Sequence, residues 1–149
     1  MKAALFLAPE DMKYASSKVE STGNNKIMLT ERGTTFGYHN LVVDMRSLII
    51  MAQIGYPVVM DATHSVQLPS AGTVSGGNPV YIKPLAKAAA AVGIDALFLE
   101  VHPDPLNALS DAASQLNINE LPELLDDVLS IDRAVKKYKI KAFEETNRL

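Results

Sequence analysis

Polar and charged side chains follow three short apolar runs of the sequence and could form a site for an anion. Residues 30–33 (Thr-Glu-Arg-Gly) follow one run, residues 61–64 (Asp-Ala-Thr-His) the next, and residues 100–102 (Glu-Val-His) the third. An arginine offers a planar fork to carboxylate or phosphate oxygens, and glycines at positions 33 and 37 let the backbone approach a ligand closely. Core packing does not need this combination, so we expect an anion site at the end of a sheet.

The elements that position these side chains are strands covered on both faces. Four apolar runs are continuous rather than alternating, which is typical of buried parallel strands. The predicted strands are Ala3–Leu7, Lys26–Leu29, Pro57–Met60 and Asp95–Leu99. Reactive side chains gather where such strands end and the following loops begin.

Helical patterns separate these runs. Residues 9–20 open with Pro-Glu-Asp, a favourable first turn, and residues 78–92 end at Gly93, a natural C-cap. Further helices are predicted over residues 41–53 and 121 to about 143, and a shorter one over residues 106–116. The inward-facing residues predicted for the last long helix are Leu124, Leu125, Val128, Leu129, Ile131 and Val135.

Four strand–helix units predict an α/β fold with a parallel sheet. They form either a small open sheet or half of an eight-stranded barrel, since a whole barrel takes about 250 residues and this chain has 149. We expect one partial barrel domain over residues 1–149. A half-barrel leaves sheet edges open, which favours association with another chain.

Composition excludes several classes of protein. The net charge of −3 argues against binding to nucleic acid or an anionic membrane, which would need a basic surplus. The chain contains no cysteine, so disulfides, thiolate ligands and a cysteine nucleophile are excluded; this suits a reducing cytoplasm. The apolar stretch near the N-terminus is too short for a signal peptide and is followed at once by Glu10 and Asp11.

Several motifs, in order and with little change of spacing, resemble the 3-deoxy-D-manno-octulosonate 8-phosphate synthases. They run from residue 2 to about residue 138 and comprise F-L-A-P-E-D-M, T-E-R-G-T-T-F-G-Y-H-N-L, D-A-T-H-S-V-Q-L-P, S-G-G, E-V-H-P-D-P and L-S-D-A-A-S-Q-L. The resemblance implies the C-terminal half of a TIM barrel. It also implies the condensation of phosphoenolpyruvate with arabinose 5-phosphate, which yields an eight-carbon sugar acid phosphate used for lipopolysaccharide.

The resemblance further implies roles for individual residues. Lys2 and Arg32 are expected to grip the phosphoenolpyruvate anion, with a salt bridge from Arg32 to Glu31 as the alternative. His64, Glu100 and Asp111 match the ligands of a divalent metal (Mn, Fe or Zn) in one branch of the family, whereas the other branch is metal-free. By the same resemblance His64 and Asp111 are catalytic, and His64 also binds substrate. Without it, His64 reads equally well as a polar strand cap and Asp111 as a helix residue or cap.

Other positions depart from the family. Residues 67–78 fit a mobile lid with Gly72, Gly76 and Gly77 as hinges, but Asn-Pro-Val follows S-G-G where an arginine is usual. Position 39 is His where Asn or Asp is usual, and position 3 is Ala where a second lysine is common. The family's first four strands have no counterpart. We therefore expect a homo-oligomer or a complementing N-terminal half as partner. The rivals are the related heptulosonate phosphate synthase, which the D-A-T-H-S-V-Q-L-P motif argues against, and a non-catalytic fragment that only associates.

Overall fold

The computed structural model of the protein describes residues 1–3, 5–68 and 76–146. The helices are α1 (Met12–Glu20), α2 (Met45–Ala52), α3 (Ile82–Val92) and α4 (Leu121–Thr146). The strands are β1 (Leu29–Glu31), β2 (Thr34–Thr35), β3 (Leu41–Val42), β4 (Val58–Asp61), β5 (Gln67–Leu68), β6 (Gly76–Gly77), β7 (Ala96–Phe98), β8 (Val101–His102) and β9 (Leu116–Asn117).

The central sheet is parallel and has the order β1-β4-β7. Leu29 pairs with Val58, and Val59 pairs with Ala96. Residues 1–3 extend the sheet beyond β1, because the Ala3 amide donates to the Thr30 carbonyl at 2.9 Å and the Thr30 amide donates to the Met1 carbonyl at 2.7 Å. The prediction of an α/β fold with parallel strands is confirmed. Because parallel strands end at the same edge, this arrangement brings their polar ends together.

The first two predicted strands were displaced. Residues 5 and 6 form a turn rather than a strand, the bridge to β1 lies at Lys2, and residue 4 is outside the described part of the chain. The second strand begins at Leu29 rather than at Lys26. The Asn24 side chain accepts the Lys26 amide at 2.9 Å, which makes a local turn of this stretch and takes its donor from the sheet.

The helix predicted from Leu41 begins four residues later. The Asp44 side chain accepts the Arg46 amide and caps α2. The apolar residues before this cap form β3 instead, which pairs antiparallel with β2. The apolar pattern continues across both elements, so the cap residue was the signal that marked the true start.

The predictions for α1, α3 and most of α4 are confirmed. Single 3₁₀ turns at Pro9–Asp11 and Pro79–Tyr81 precede α1 and α3, and Gly93 ends α3 in the left-handed conformation. On α4, Leu124 and Val128 are buried as expected. Leu125 and Leu129 were wrongly assigned to the inner face, since they are 39% and 46% exposed and lie one position around the helix from the buried stripe.

The short helix predicted over residues 106–116 was wrong. The segment contains two 3₁₀ turns, Pro105–Asn107 and Ala112–Ser114, with Asp111 in the left-handed conformation between them. Leu106 and Leu109 are exposed. With no apolar face to bury, a longer helix has little to stabilise it.

The core lies between the central sheet and the helices. Its largest fully buried apolar side chains are Met12, Leu29, Leu48, Met51, Met60, Ile82 and Leu124. Strands β1 and β4 are buried along their whole length, as their continuous apolar runs predicted. Strand β7 is only partly covered, and Phe98 at its end is 37% exposed. No helix in the described part of the chain is long and apolar enough to cross a membrane.

The segment predicted as a lid is described only at its ends. Strands β5 and β6 pair antiparallel, so residues 67 and 77 lie side by side. Gly72 lies outside the described residues.

Candidate active site

The Asp61 carboxylate is the centre of the polar cluster at the sheet edge. It ends β4 and is fully buried. Its Oδ2 lies 2.7 Å from Lys2 Nζ and 2.8 Å from His64 Nδ1. Its Oδ1 accepts the His64 amide at 3.0 Å and the Thr63 hydroxyl at 3.1 Å. Sequence analysis assigned Asp61 no role of its own, although its place at the end of a buried strand was a signal.

The charge of Asp61 follows from two opposing effects. Burial by itself would raise the pKa of this carboxyl. The hydrogen bond from Lys2, the His64 amide and the His64 ring together outweigh burial, so the Asp61 pKa lies below its usual range. Asp61 is therefore an anion at neutral pH, and it holds a lysine and a histidine in place.

The two nitrogens of the His64 ring face different carboxylates. Nδ1 faces Asp61, while Nε2 lies 3.3 Å from Glu100 Oε1. Asp111 joins them, since one ligand atom each from His64, Glu100 and Asp111 lie within 4.8 Å of one another. The sequence-based expectation that these three residues converge is confirmed.

This donor set fits a divalent ion. One imidazole nitrogen and two carboxylates suit Mn²⁺, Fe²⁺ or Zn²⁺. A spacing of 3.3 Å between Nε2 and Oε1 suits two ligands at about 2.0–2.2 Å from one ion. Asp61 occupies the other ring nitrogen, as carboxylates behind metal-bound histidines commonly do.

Backbone contacts fix the two other members of the cluster. The Glu100 amide donates to the Thr63 hydroxyl at 3.2 Å, and the Glu100 carbonyl accepts the Leu116 amide at 3.0 Å. The Asp111 carbonyl accepts the Ser114 amide at 2.8 Å. Asp111 therefore caps a 3₁₀ turn, which agrees with the alternative given for it above, and it also belongs to the cluster.

Arg32 follows β1, and its side chain bonds to Gln67 rather than to Glu31, the partner in the alternative given above. Its guanidinium donates to Gln67 Oε1 at 2.7 Å. Among the described residues it makes no salt bridge with Glu31. The two Glu31 oxygens instead accept the Gly33 amide and the Ser47 hydroxyl. Most of the Arg32 donors thus have no protein acceptor in the described part of the chain.

Lys2, which the sequence paired with Arg32, lies beside His64. Its ammonium is 3.3 Å from His64 Nδ1 and 4.3 Å from the centre of the Phe98 ring. His102, the other histidine at a strand end, is not part of this cluster, because its Nδ1 accepts the Asp104 amide in a local turn.

Comparison with known proteins identifies the family. Residues 1–137 match the DAHP synthetase I family. The chain belongs to this family. It is 56% identical over 137 residues to a 2-dehydro-3-deoxyphosphooctonate aldolase of Syntrophotalea carbinolica, which covers 91% of the chain and 50% of that protein. Proteins of the same name from Geobacter sulfurreducens (53% identical; 91% and 50% covered) and Legionella pneumophila (52%; 93% and 51%) are also similar.

The resemblance drawn from the sequence is therefore confirmed. The chain spans about half the length of the curated relatives that it matches. In this chain, residues of the D-A-T-H-S-V-Q-L-P, E-V-H-P-D-P and L-S-D-A-A-S-Q-L motifs meet in the cluster. Sequence reasoning missed Asp61, Gln67 and Phe98, which contact the predicted site residues from behind or between them.

Proposed function

We propose that this chain is the C-terminal half of a 3-deoxy-D-manno-octulosonate 8-phosphate synthase, a transferase that acts on phosphoenolpyruvate and arabinose 5-phosphate. C3 of phosphoenolpyruvate attacks the aldehyde carbon, which takes up a proton at its oxygen, and water adds at C2. Inorganic phosphate then departs with the bridging oxygen as the C2–O bond breaks, and the added hydroxyl loses its proton to become the C2 ketone. The observation that carries this proposal is the convergence of His64, Glu100 and Asp111, with the lysine-bound Asp61 on the other side of the His64 ring. The chain is also 56% identical to a 2-dehydro-3-deoxyphosphooctonate aldolase.

Arg32 and Lys2 supply the charge for the phosphoenolpyruvate anion. One amino group of the Arg32 guanidinium donates to Gln67. The other N–H donors, which point outward in the same plane, remain available to carboxylate or phosphate oxygens. Lys2 is 41% exposed at its side chain, so its ammonium can contact a ligand while it remains paired with Asp61. A ligand held between these two cations would lie next to His64.

His64, Glu100 and Asp111 would hold a divalent ion in the metal-dependent branch of the family. When bound, such an ion supplies a Lewis acid that polarises the aldehyde oxygen. The side chains themselves orient the aldehyde and the attacking water. In the metal-free branch, where His64 Nε2 holds no ion, Nε2 is the atom placed to exchange a proton with a ligand oxygen, because Nδ1 is held by Asp61. In the metal-free branch the same three side chains would act on water alone.

The closest rival enzyme is the heptulosonate phosphate synthase, which uses erythrose 4-phosphate. The D-A-T-H-S-V-Q-L-P motif and the names of the relatives favour the octulosonate enzyme. A rival from another class is a non-catalytic fragment that only associates with other chains. The cytoplasm is the proposed location, in keeping with a chain that lacks cysteine.

The experiment that tests this proposal measures phosphate release. The chain is mixed with the first half of a curated relative and given phosphoenolpyruvate with arabinose 5-phosphate or with erythrose 4-phosphate. Phosphate release that depends on the five-carbon sugar supports the proposal, and release only with the four-carbon sugar identifies the rival enzyme. The matched control is the mixture carrying Arg32→Ala. Association of the two halves with no release under any condition would support the non-catalytic class.

A further inference from the structure

Gln67 connects the two parts of the candidate site. Its side-chain carbonyl accepts a hydrogen bond from Arg32 at 2.7 Å, and its amide nitrogen donates to Asp111 Oδ1 at 2.7 Å. A single neutral side chain thus lies between the cation proposed for the phosphoenolpyruvate anion and a carboxylate of the His64–Glu100–Asp111 cluster. None of the roles implied by the family resemblance uses it.

The chemistry of the three groups determines how the amide is oriented. A guanidinium can only donate hydrogen bonds and a carboxylate can only accept them, so the Gln67 oxygen must face Arg32 and its nitrogen must face Asp111. A carboxylate in place of the amide would repel Asp111, and an ammonium would repel Arg32. Only a neutral group with one acceptor and one donor satisfies both partners.

The backbone ties Gln67 to Asp111 a second time. Residue 67 pairs with Gly77 across the β5–β6 ladder. Gly77 lies so close to the turn after Asp111 that a Cβ atom there would be 2.4 Å from the Ala113 carbonyl oxygen. Because this approach is open only to glycine, β6 is packed directly on the turn that follows Asp111, and β6 in turn pairs with the strand that carries Gln67.

We propose that Gln67 is a positioning residue that holds Arg32 and Asp111 apart. Without it, the guanidinium and the carboxylate would be free to pair directly, and each would then be neutralised for its own ligand. With it, the remaining donors of Arg32 stay available to an anion and the second oxygen of Asp111 stays available to a cation. This inference rests on the proposed function, in which Arg32 binds phosphoenolpyruvate and Asp111 binds a divalent ion.

Two substitutions separate positioning from simple packing. Gln67→Met keeps the length of the side chain and removes both hydrogen bonds. Gln67→Glu keeps the bond to Arg32 but places a negative charge between Arg32 and Asp111. The matched control is Gln53→Met, since Gln53 is an exposed glutamine at the end of α2. Electron paramagnetic resonance measures Mn²⁺ binding, and calorimetry measures phosphoenolpyruvate binding. Both measurements use the full chain, associated with itself or with the complementing first half.

The expected results differ between the two variants. Gln67→Met should weaken both Mn²⁺ and phosphoenolpyruvate binding by about tenfold or more, as loss of partners behind metal ligands commonly does. Gln67→Glu should weaken phosphoenolpyruvate binding by about tenfold, because the new carboxylate neutralises Arg32, while Mn²⁺ binding is kept or strengthened by the added negative charge. Gln53→Met should change neither.

The outcome that overturns the inference is also specific. Equal loss of both ligands in Gln67→Glu and Gln67→Met would show a packing role only, and unchanged binding of both ligands in Gln67→Met would show no role. If Gln67→Met no longer unfolds cooperatively, the test rests on Gln67→Glu. Weaker phosphoenolpyruvate binding with Mn²⁺ binding kept or strengthened supports the inference, and any other result for that variant overturns it. If the wild-type chain binds neither ligand, the proposed function fails and this inference fails with it. If the wild-type chain binds both and the variants behave alike, only the role of Gln67 fails.

Discussion

The Lys2 ammonium lies 2.7 Å from the fully buried carboxylate of Asp61, and the same oxygen lies 2.8 Å from His64 Nδ1. Lys2 comes from the first residues of the chain, whereas Asp61 ends β4, and β1 lies between them in the sheet. A buried carboxylate without a partner is costly, so this contact both stabilises Asp61 and orders the N-terminal residues.

We expect Asp61→Asn to destabilise the protein by about 2 kcal/mol, because the change leaves Lys2 and His64 without their shared anion. The free energy of unfolding from urea titration measures the loss. The control is Asp127→Asn, which removes an exposed pair with Lys87 at 3.0 Å and should cost less than about 1 kcal/mol. Equal losses in the two variants would contradict the central place given to Asp61.

The second prediction concerns pH and the cap of α2. The side-chain hydrogen bond from Arg46, and after it the Arg46 backbone amide, lower the pKa of Asp44. A lowered pKa in the folded state contributes stability above the ordinary value of about 3.9, and that contribution is lost as the pH falls through the folded value.

Two substitutions at Asp44 isolate this effect. Asp44→Asn should keep the cap and lose only the pH-dependent part, whereas Asp44→Ala should cost about 1 kcal/mol at neutral pH as well, because asparagine caps a helix and alanine does not. Urea midpoints at neutral pH and below about pH 4 compare the two variants. An Asp44→Asn protein with the same acid sensitivity as the wild type would contradict this assignment.

Arg32→Ala should abolish phosphoenolpyruvate binding in an assembled, active form. Loss of a desolvated bidentate contact leaves anion oxygens unpaired and costs about 2–3 kcal/mol. Arg32→Lys keeps the charge but not the planar fork, so it should recover only part of the affinity. Calorimetry measures both variants, and unchanged affinity in Arg32→Ala would refute the role of this residue.

If the chain belongs to the metal-dependent branch, each member of the His64–Glu100–Asp111 cluster should contribute to ion binding. His64→Ala, Glu100→Ala and Asp111→Ala should each weaken Mn²⁺ binding at least about tenfold, since each removes one of three ligands. His102→Ala is the matched control, because His102 lies next to Glu100 in the chain but bonds to the Asp104 amide. Mn²⁺ binding that is lost equally in His102→Ala would argue against the cluster.

The isolated chain should be neither a stable monomer nor an efficient enzyme. Phe6, Phe36 and Tyr38 are exposed, and Phe98 is partly exposed at the sheet edge, which favours association. The family resemblance places the residues that hold the sugar phosphate in the first half of the barrel, so we do not expect the isolated chain to hold phosphoenolpyruvate and arabinose 5-phosphate together. Light scattering beside a phosphate-release assay tests this prediction. A monodisperse monomer that turns over both substrates at ordinary enzyme rates would contradict it.

Elements with strong local signals were predictable from the sequence. Strand β4 and helices α1 and α3 lie where the apolar runs, the proline-led first turns and Gly93 placed them. Elements with weak or mixed signals were not. The apolar residues Leu41 and Val42 suit a helix as well as a strand. The Asp44 cap marks where α2 begins, and pairing with β2 makes a strand of the residues before it.

The candidate site divides in the same way. By itself the sequence determined the family, and its motifs carry His64, Glu100 and Asp111 in order. Only the tertiary structure decided that Asp61 joins Lys2 to His64 and that Gln67 joins Arg32 to Asp111. The physical reason is that, apart from the Asp61–His64 contact, these contacts run between residues far apart in the chain. These long-range contacts depend on which strands lie side by side in the sheet, and no local sequence pattern specifies that pairing.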